Sequence, residues 1–453
     1  AAVHDGGPGP DGDAPMTARA LPPDHPQRYP MTLELHARPF PPLETPSQAV
    51  QLAFKPHEDR MRDTSAHRDH LHALLDRFGA ARPAKDTQHH VAEIGRLKMK
   101  WERHTEFVSY TFYEDGPTDA PFSLPLESLA PADWLVEAPG ALISAVRFHI
   151  EPMRDEADAE RAINQRFHRF FVAESTAAAH VADGQATVIG DFRIHEDGFS
   201  RFAVLTNPST GNRRLGRVVQ RLIEVETYRL LSMLALPMAR QVSTQLNDVE
   251  AELTALVSEI AGETRGDRET LAQLMRLSAA IEAMSAETAF RFAASKAYAA
   301  LVEQRIEALG ERRAADRQLL SEFMARRFKP AMRTCLAADA RLHDLADRAS
   351  RTAALLSTRV NVTVETQNQA LLESMNRRAE AQLRLQRTVE GLSVVAISYY
   401  AVSLAGYLLA PFSEQIGIDK PTLIALAAVP IILGVWAFIG RIRRQIESGS
   451  GEG

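Results

Sequence analysis

Two stretches near the carboxyl end carry no charged residue: Gly391–Ala410, GLSVVAISYYAVSLAGYLLA, and Pro421–Gly440, PTLIALAAVPIILGVWAFIG. Each holds 20 residues. A helix rising ~1.5 Å per residue covers the ~30 Å hydrocarbon layer of a bilayer in that length. The connector between them, PFSEQIGIDK, has ten residues, so the pair is expected as a hairpin across a membrane. The competing reading is two buried helices of a soluble core, where uncharged runs of this length are uncommon.

The chain as a whole conceals this. Of 453 residues, 45% are hydrophobic and 24% charged, and 52 basic against 58 acidic side chains leave a net −6. Such averages exclude collagen-like, disulfide-dense and wholly disordered chains. With no basic excess to neutralise phosphates, nucleic acid is not an expected partner. Cys335 is the single cysteine, which forbids an internal disulfide and a four-cysteine zinc site and suits a reducing cytosol.

The flanking charges orient the hairpin. Arg377, Arg378, Arg384 and Arg387 precede the first run, and Arg441, Arg443 and Arg444 follow the second. The connector carries Glu414, Asp419 and Lys420. Basic residues stay on the cytoplasmic side, so both ends are expected inside and the acidic connector outside. The start of the sequence shows no basic-then-apolar signal pattern, so the large preceding region is expected in the cytosol. Along the first run, Ser393, Ala396, Tyr400, Ser403, Tyr407 and Ala410 recur at spacings of three and four and share one helical face. Small and hydroxyl residues of this kind pack membrane helices together, or line a narrow path in which hydroxyls replace ion hydration. Two spans cannot enclose such a path alone, so conduction requires several copies.

Ala331–Glu390 contains neither glycine nor proline, and it reads as one helix of about 90 Å entering the first run. Its polar residues Asn361, Gln367, Asn368, Gln369 and Asn376 fit either a wet bundle interior with fixed register or an exposed face. Upstream, Val242, Leu246, Val249, Leu253, Leu256 and Ile260 form a coiled-coil-like heptad within a helix expected over Leu215–Ile260. A second helix is expected over Asp267–Leu309, and antiparallel packing of these seams makes a helical stalk. The fold class is therefore α+β: a mixed α/β cytosolic domain, a long helical stalk and a two-helix transmembrane hairpin. The expected divisions are a disordered segment at 1–30, the α/β domain at 31–210, the stalk at 211–390, the hairpin at 391–440 and a basic, then polar tail at 441–453.

Within the α/β domain, strands are expected at Thr32–Arg38, Leu97–Tyr113, Ala141–Ile150, Ala186–Ile194 and Phe199–Thr206, with helices near Thr64–Phe78 and Ala159–Val172. In KWERHTEF, strand alternation places Glu102, His104 and Glu106 on one face, and in ELHARPF it places Glu34, His36 and Arg38 together. Carboxylates and imidazoles at that spacing could hold a divalent cation, or form a salt-bridged sheet surface with Arg38 or Arg103. His67, His70 and His72 lie on a helix without the H-E-x-x-H arrangement and read as a solvated face. The loop Asn207–Arg217 could meet an anion at a helix start, but lacks the phosphate-loop lysine pattern and reads as a polar turn. No nucleophile elbow, kinase set or dinucleotide fingerprint occurs. No catalytic residue and no cofactor is expected, a divalent cation being the one candidate ligand.

The segments ELHARPF, KWERHTEFVSYTF, LGRVVQRLIEVETYR, LSMLALPMAR and EGLSVVAISYYAVSL resemble those of a bacterial family of two-pass membrane proteins of unassigned function, over nearly the whole chain after residue 30. That resemblance implies the inner membrane. The layout also resembles CorA-type metal-ion transporters, which form pentamers with the first span lining the pore. Where that family carries Gly-Met-Asn, this chain has Tyr407-Leu408-Leu409-Ala410-Pro411, so magnesium transport is not implied. Two functions are carried forward. One is a homo-oligomeric cation channel or transporter with Glu414 and Asp419 as outer cation collectors. The other is a non-conducting membrane-anchored scaffold or regulatory protein.

Overall fold

The computed structural model describes residues 24–29, 31–32, 40–56, 64–85, 87–118, 120–262, 266–412 and 419–449. They fall into two compact units, one running to Leu256 and including Met275–Ser350, the other comprising Val257–Leu274 and the chain from Arg351 onward.

The first unit is built on one sheet of nine strands. These are β1 (Ser47–Lys55), β2 (His89–Ile94), β3 (Leu97–Arg103), β4 (Val108–Asp115), β5 (Ala141–Pro152), β6 (Ala177–Val181), β7 (Ala186–Gly190), β8 (Ser200–Thr206) and β9 (Arg312–Arg313). Their order is β2-β3-β4-β1-β5-β8-β7-β6-β9, and β5 with β8 is the parallel pair, the other pairs being antiparallel. The helices, in chain order, are α1 (Thr64–Arg77), α2 (Glu156–Gln165), α3 (Asn212–Met233), α4 (Ala235–Gly262), α5 (Asp267–Glu307), α6 (Lys329–Leu409) and α7 (Lys420–Gly449), with short turns such as Ala132–Val136 between them. The last three helices before α7 contribute residues to both units.

Side-chain alternation along each strand feeds a separate core on each face of the sheet. From β1, Ala49 and Ala53 pack with Leu215, Val218 and Leu222 of α3, while Val50, Leu52 and Phe54 pack with Leu71, Leu74 and Leu75 of α1. From β8, Phe202 and Val204 join the α3 side, and Ala203 and Leu205 meet Ala159 and Ile163 of α2. The sheet is thus the middle of three layers. Each fully buried leucine of this kind contributes roughly 1.5–3 kcal/mol. Helix α2 begins where the Asp155 side chain accepts a hydrogen bond from the Asp158 amide at 2.8 Å. Gly216 is required in α3, since a Cβ there would collide with the Pro41 carbonyl where Phe40–Pro41 crosses the helix.

Two sequence expectations are corrected. The strand expected over Leu97–Tyr113 is two strands, β3 and β4, joined by a tight turn in which the His104 amide bonds the Phe107 carbonyl at 2.8 Å. The turn holds no glycine, proline or asparagine to mark it, and across it the buried set shifts phase, from Leu97, Met99 and Trp101 to Val108, Tyr110 and Phe112. The helix expected over Leu215–Ile260 is interrupted at Leu234. Pro237 lacks the amide that would continue the helix back to Met233. Strands β1, β2 and β6 were not expected; the Ala-rich β6 has a helical composition that its place in the sheet overrides.

In the second unit, Leu356 of α6 is buried, and Arg359 pairs with Asp267 at 3.1 Å and bonds the Ile260 carbonyl at 3.4 Å. Farther along, α6 and α7 lie side by side: Gly406 is buried against Ile424, and Ile439 lines one groove with Ser393 and Ile397. Both helices contain a segment long and apolar enough to cross a membrane, with only 11% of the first segment and 0% of the second buried within the chain.

Candidate functional site

The hydroxyl face of the first apolar run is mostly exposed, with Ser393 sharing a groove with Ile439 of α7. Tyr400 is 72% and Tyr407 77% exposed, Ser393 is exposed and Ser403 is half-buried. The Ser393 hydroxyl donates to the Val389 carbonyl at 2.8 Å, which satisfies it within the helix. Ser398, only 6% exposed, is also buried, and Gly406 is the residue set against α7, beside Ile424. Sequence spacing marked the hydroxyl face but missed Ser398 and Gly406. The absence of a side chain at Gly406 is the signal for the close approach to Ile424.

Of the two outer acids, Glu414 lies outside the described residues. Asp419 is exposed and starts α7: its carboxylate accepts from the Thr422 hydroxyl at 2.6 Å, and its carbonyl accepts from the Leu423 amide at 3.2 Å.

The β3–β4 hairpin does not gather its acids as strand alternation suggested. Glu102 is buried on β3, its carboxylate 3.0 Å from the Lys100 ammonium. Lys100 also donates to the Gln220 side chain of α3 at 3.2 Å. Glu106 sits in the turn and forms a buried ion pair with Arg291 of α5. Beside it, burial and then the Glu106 charge push the Tyr298 hydroxyl pKa upward. His104 stacks on Phe107 with ring centres 4.1 Å apart. Among the described residues, the charges that meet these acids come from Lys100 and Arg291 and not from Arg103. His36, Glu34 and Arg38 lie outside the described residues. Among the described residues, no group of three His, Cys, Asp or Glu side chains stands where it could hold a metal ion.

The histidine run is not the solvated face that its sequence suggested. His70 is buried, stacked 4.1 Å from Trp134. Its Nε2 donates to the Trp134 carbonyl at 2.9 Å and its Nδ1 accepts from the Tyr110 hydroxyl at 2.8 Å, the arrangement of a neutral ring. Burial depresses its pKa to about 4. His67 is buried too. The Asn207–Arg217 loop folds on itself: the Ser209 amide and hydroxyl both bond the Asn207 side chain, at 2.9 and 2.8 Å. One further polar cluster gave no signal in the sequence. Buried Asp191 accepts from the Val172 amide, 19 positions away, at 2.9 Å and lies 3.1 Å from His195, its local i,i+4 neighbour.

The fold and this helix pair together define an α/β-sheet protein carrying two exposed apolar helices at its carboxyl end. The chain belongs to the family described as protein of unknown function (DUF3422), whose model matches residues 23–446. A comparison with curated proteins finds no match.

Proposed function

We propose that this chain is a homo-oligomeric two-span protein of the bacterial inner membrane. Its large α/β unit lies in the cytosol, and the hydroxyl face of its first span provides a path for cations. The observation that carries the reading is the pair of apolar helices whose crossing segments the chain leaves almost wholly uncovered, with Tyr400 and Tyr407 exposed. In water such surfaces would be strongly unfavourable, at roughly 25 cal/mol per Å² of apolar area; a bilayer removes that cost. The arginines flanking both runs favour cytosolic ends. With Ser393, Tyr400 and Tyr407 exposed and Ser403 half-buried, these hydroxyls are available to meet those of other copies. Glu414 and Asp419 are placed by sequence on the outer connector, where they would concentrate cations. The partners in this reading are lipid, further copies of the chain and the transported cation.

The test is flux of monovalent and divalent cations into liposomes holding the purified protein. Flux is expected for the native chain. Ser403→Leu is expected to lower it several-fold without dissolving the oligomer. A stable monomer or dimer in detergent would overturn the reading.

A non-conducting scaffold is the alternative, and one residue favours it. Arg378 lies on the same side of α6 as the hydroxyl face, three and a half heptads below Ser403, and would set positive charge across a central path. A ring-shaped oligomer that passes no cation would establish this second reading.

A further inference from the structure

The hydroxyl face does not stop at the apolar run. Counted in sevens from Ser403, the same position is held by Ala410, Ala396, Val389, Gln382, Met375, Asn368 and Asn361. Counted in sevens from Tyr400, it is held by Tyr407, Ser393, Gln386, Ala379 and Leu372. The flanking row on the other side is Leu392, Leu385, Arg378, Leu371 and Val364. In heptad terms these are a, e and d, and between residues 367 and 389 they carry a single charge, Arg378. The charges Glu373, Arg377, Glu380, Arg384 and Arg387 all fall at c and f, on the far side. Within the second unit Leu356 and Arg359 also lie on that far side, whereas in the apolar run α7 takes the d position at Gly406, which is buried against Ile424, and leaves the a and e rows as the free stripe there. Below the apolar run the seam is open, with Leu371 and Leu385 61% and 66% exposed, and Ile439 of α7 borders it beside Val389 and Ser393.

A stripe that repeats every seven residues drifts by about 20° per heptad on a straight helix, so holding it against a partner requires a left-handed supercoil. Resting on the membrane reading above, we infer that residues 361–410 of α6 form one continuous interface with the same residues of further copies of this chain, in parallel and in register. The continuity selects the occupant. Lipid can cover the stripe only from Gly391 onward, and a soluble partner only before it. A partner that follows one register through both phases must itself be a helix that enters the membrane there, as α6 of a second copy does. The hairpin gives every copy the same orientation, so the bundle is parallel. Asn361, Asn368 and Gln382 then stack at equivalent levels, where buried amides fix register.

Single cysteines test the seam in native membranes. Cys335 is buried, and burial pushes its thiol pKa up, so the unsubstituted chain serves as the blank. Oxidation of Met375→Cys and of Gln382→Cys is expected to give disulfide-linked dimers, since equivalent a positions approach one another only in a parallel bundle. Glu373→Cys and Glu380→Cys, on the far side, are expected to give about tenfold less. Equal cross-linking on both sides would overturn the interface. So would no cross-linking at Met375 and Gln382 in protein that resists alkaline carbonate extraction, a result that leaves the membrane reading standing. Release of the protein by carbonate would remove that reading, and the continuous seam with it.

Discussion

Glu106 illustrates how a residue's neighbours decide its chemistry. In the sequence it stands one alternation from His104 and two from Glu102, a spacing that suggests a cation site. In the fold it occupies a turn and meets Arg291, a residue 185 positions away. Both side chains are buried, so neither charge is dispensable on its own. Arg291→Met is expected to destabilise the α/β unit by about 3–5 kcal/mol, because it leaves a carboxylate buried without its partner. Adding Glu106→Gln is expected to recover a substantial part, and urea unfolding of the single and double variants measures the difference. If the single variant unfolds at the native denaturant concentration, the pair is not buried as described. His70 shows the same limit of sequence reading. Its three-residue spacing from His67 gave no sign that Trp134 and Tyr110 would enclose it, because those partners come from a distant turn and strand.

At the scale of elements, long periodic segments were legible and short irregular ones were not. Helix α1 forms where a helix near Thr64–Phe78 was expected, with Leu71, Leu74 and Leu75 buried and Phe78, just past its end, 41% exposed. The strand-to-strand turn at His104–Phe107 was hidden because no turn-forming residue marks it, and its one trace is the phase shift of the apolar positions from Trp101 to Val108. In the proposed assembly α6 makes the interface, and Arg378 is the one charged residue of its seam between residues 367 and 389. Arg378→Leu is expected to strengthen association by on the order of 1 kcal/mol per copy, since an apolar side chain of similar reach replaces a desolvated charge. Oligomer melting in detergent, followed by native electrophoresis, reads this directly. A lowered melting temperature would show that Arg378 has an ionic partner across the seam. In the conducting reading the same substitution is also expected to raise cation flux by removing positive charge from the path.

For the molecule as a whole, the proposed membrane placement gives the apolar helices a different solvent from the α/β unit, whose stability should follow pH. The α/β unit keeps two histidines neutral by burial. The pKa of His70 falls from 6.5 to about 4, as does that of His149, where Arg166 adds to the effect of burial. A histidine depressed in the folded state contributes its full stability above the unfolded pKa. As pH falls from 6.5 toward 4, the unfolded chain takes up protons that the folded chain refuses, and that stability is lost. Each site accounts for on the order of 3 kcal/mol across this window. The urea midpoint, read from the fluorescence of buried Trp101 and Trp134, is expected to drop over that range, and His70→Gln to flatten the curve. An unchanged midpoint between pH 6.5 and 4 would contradict both burials. What the sequence settled alone was whatever depends on local composition and period: the two uncharged runs, the arginines beside them, the long helix free of glycine and proline, and the face on which the hydroxyls recur. Tertiary structure alone decided which acids meet which bases, where the nine strands pair, and which face of the first run α7 covers. The physical reason is that helix period and apolar length are properties of contiguous residues, whereas burial, ion pairing and strand register depend on residues brought together from tens to hundreds of positions apart.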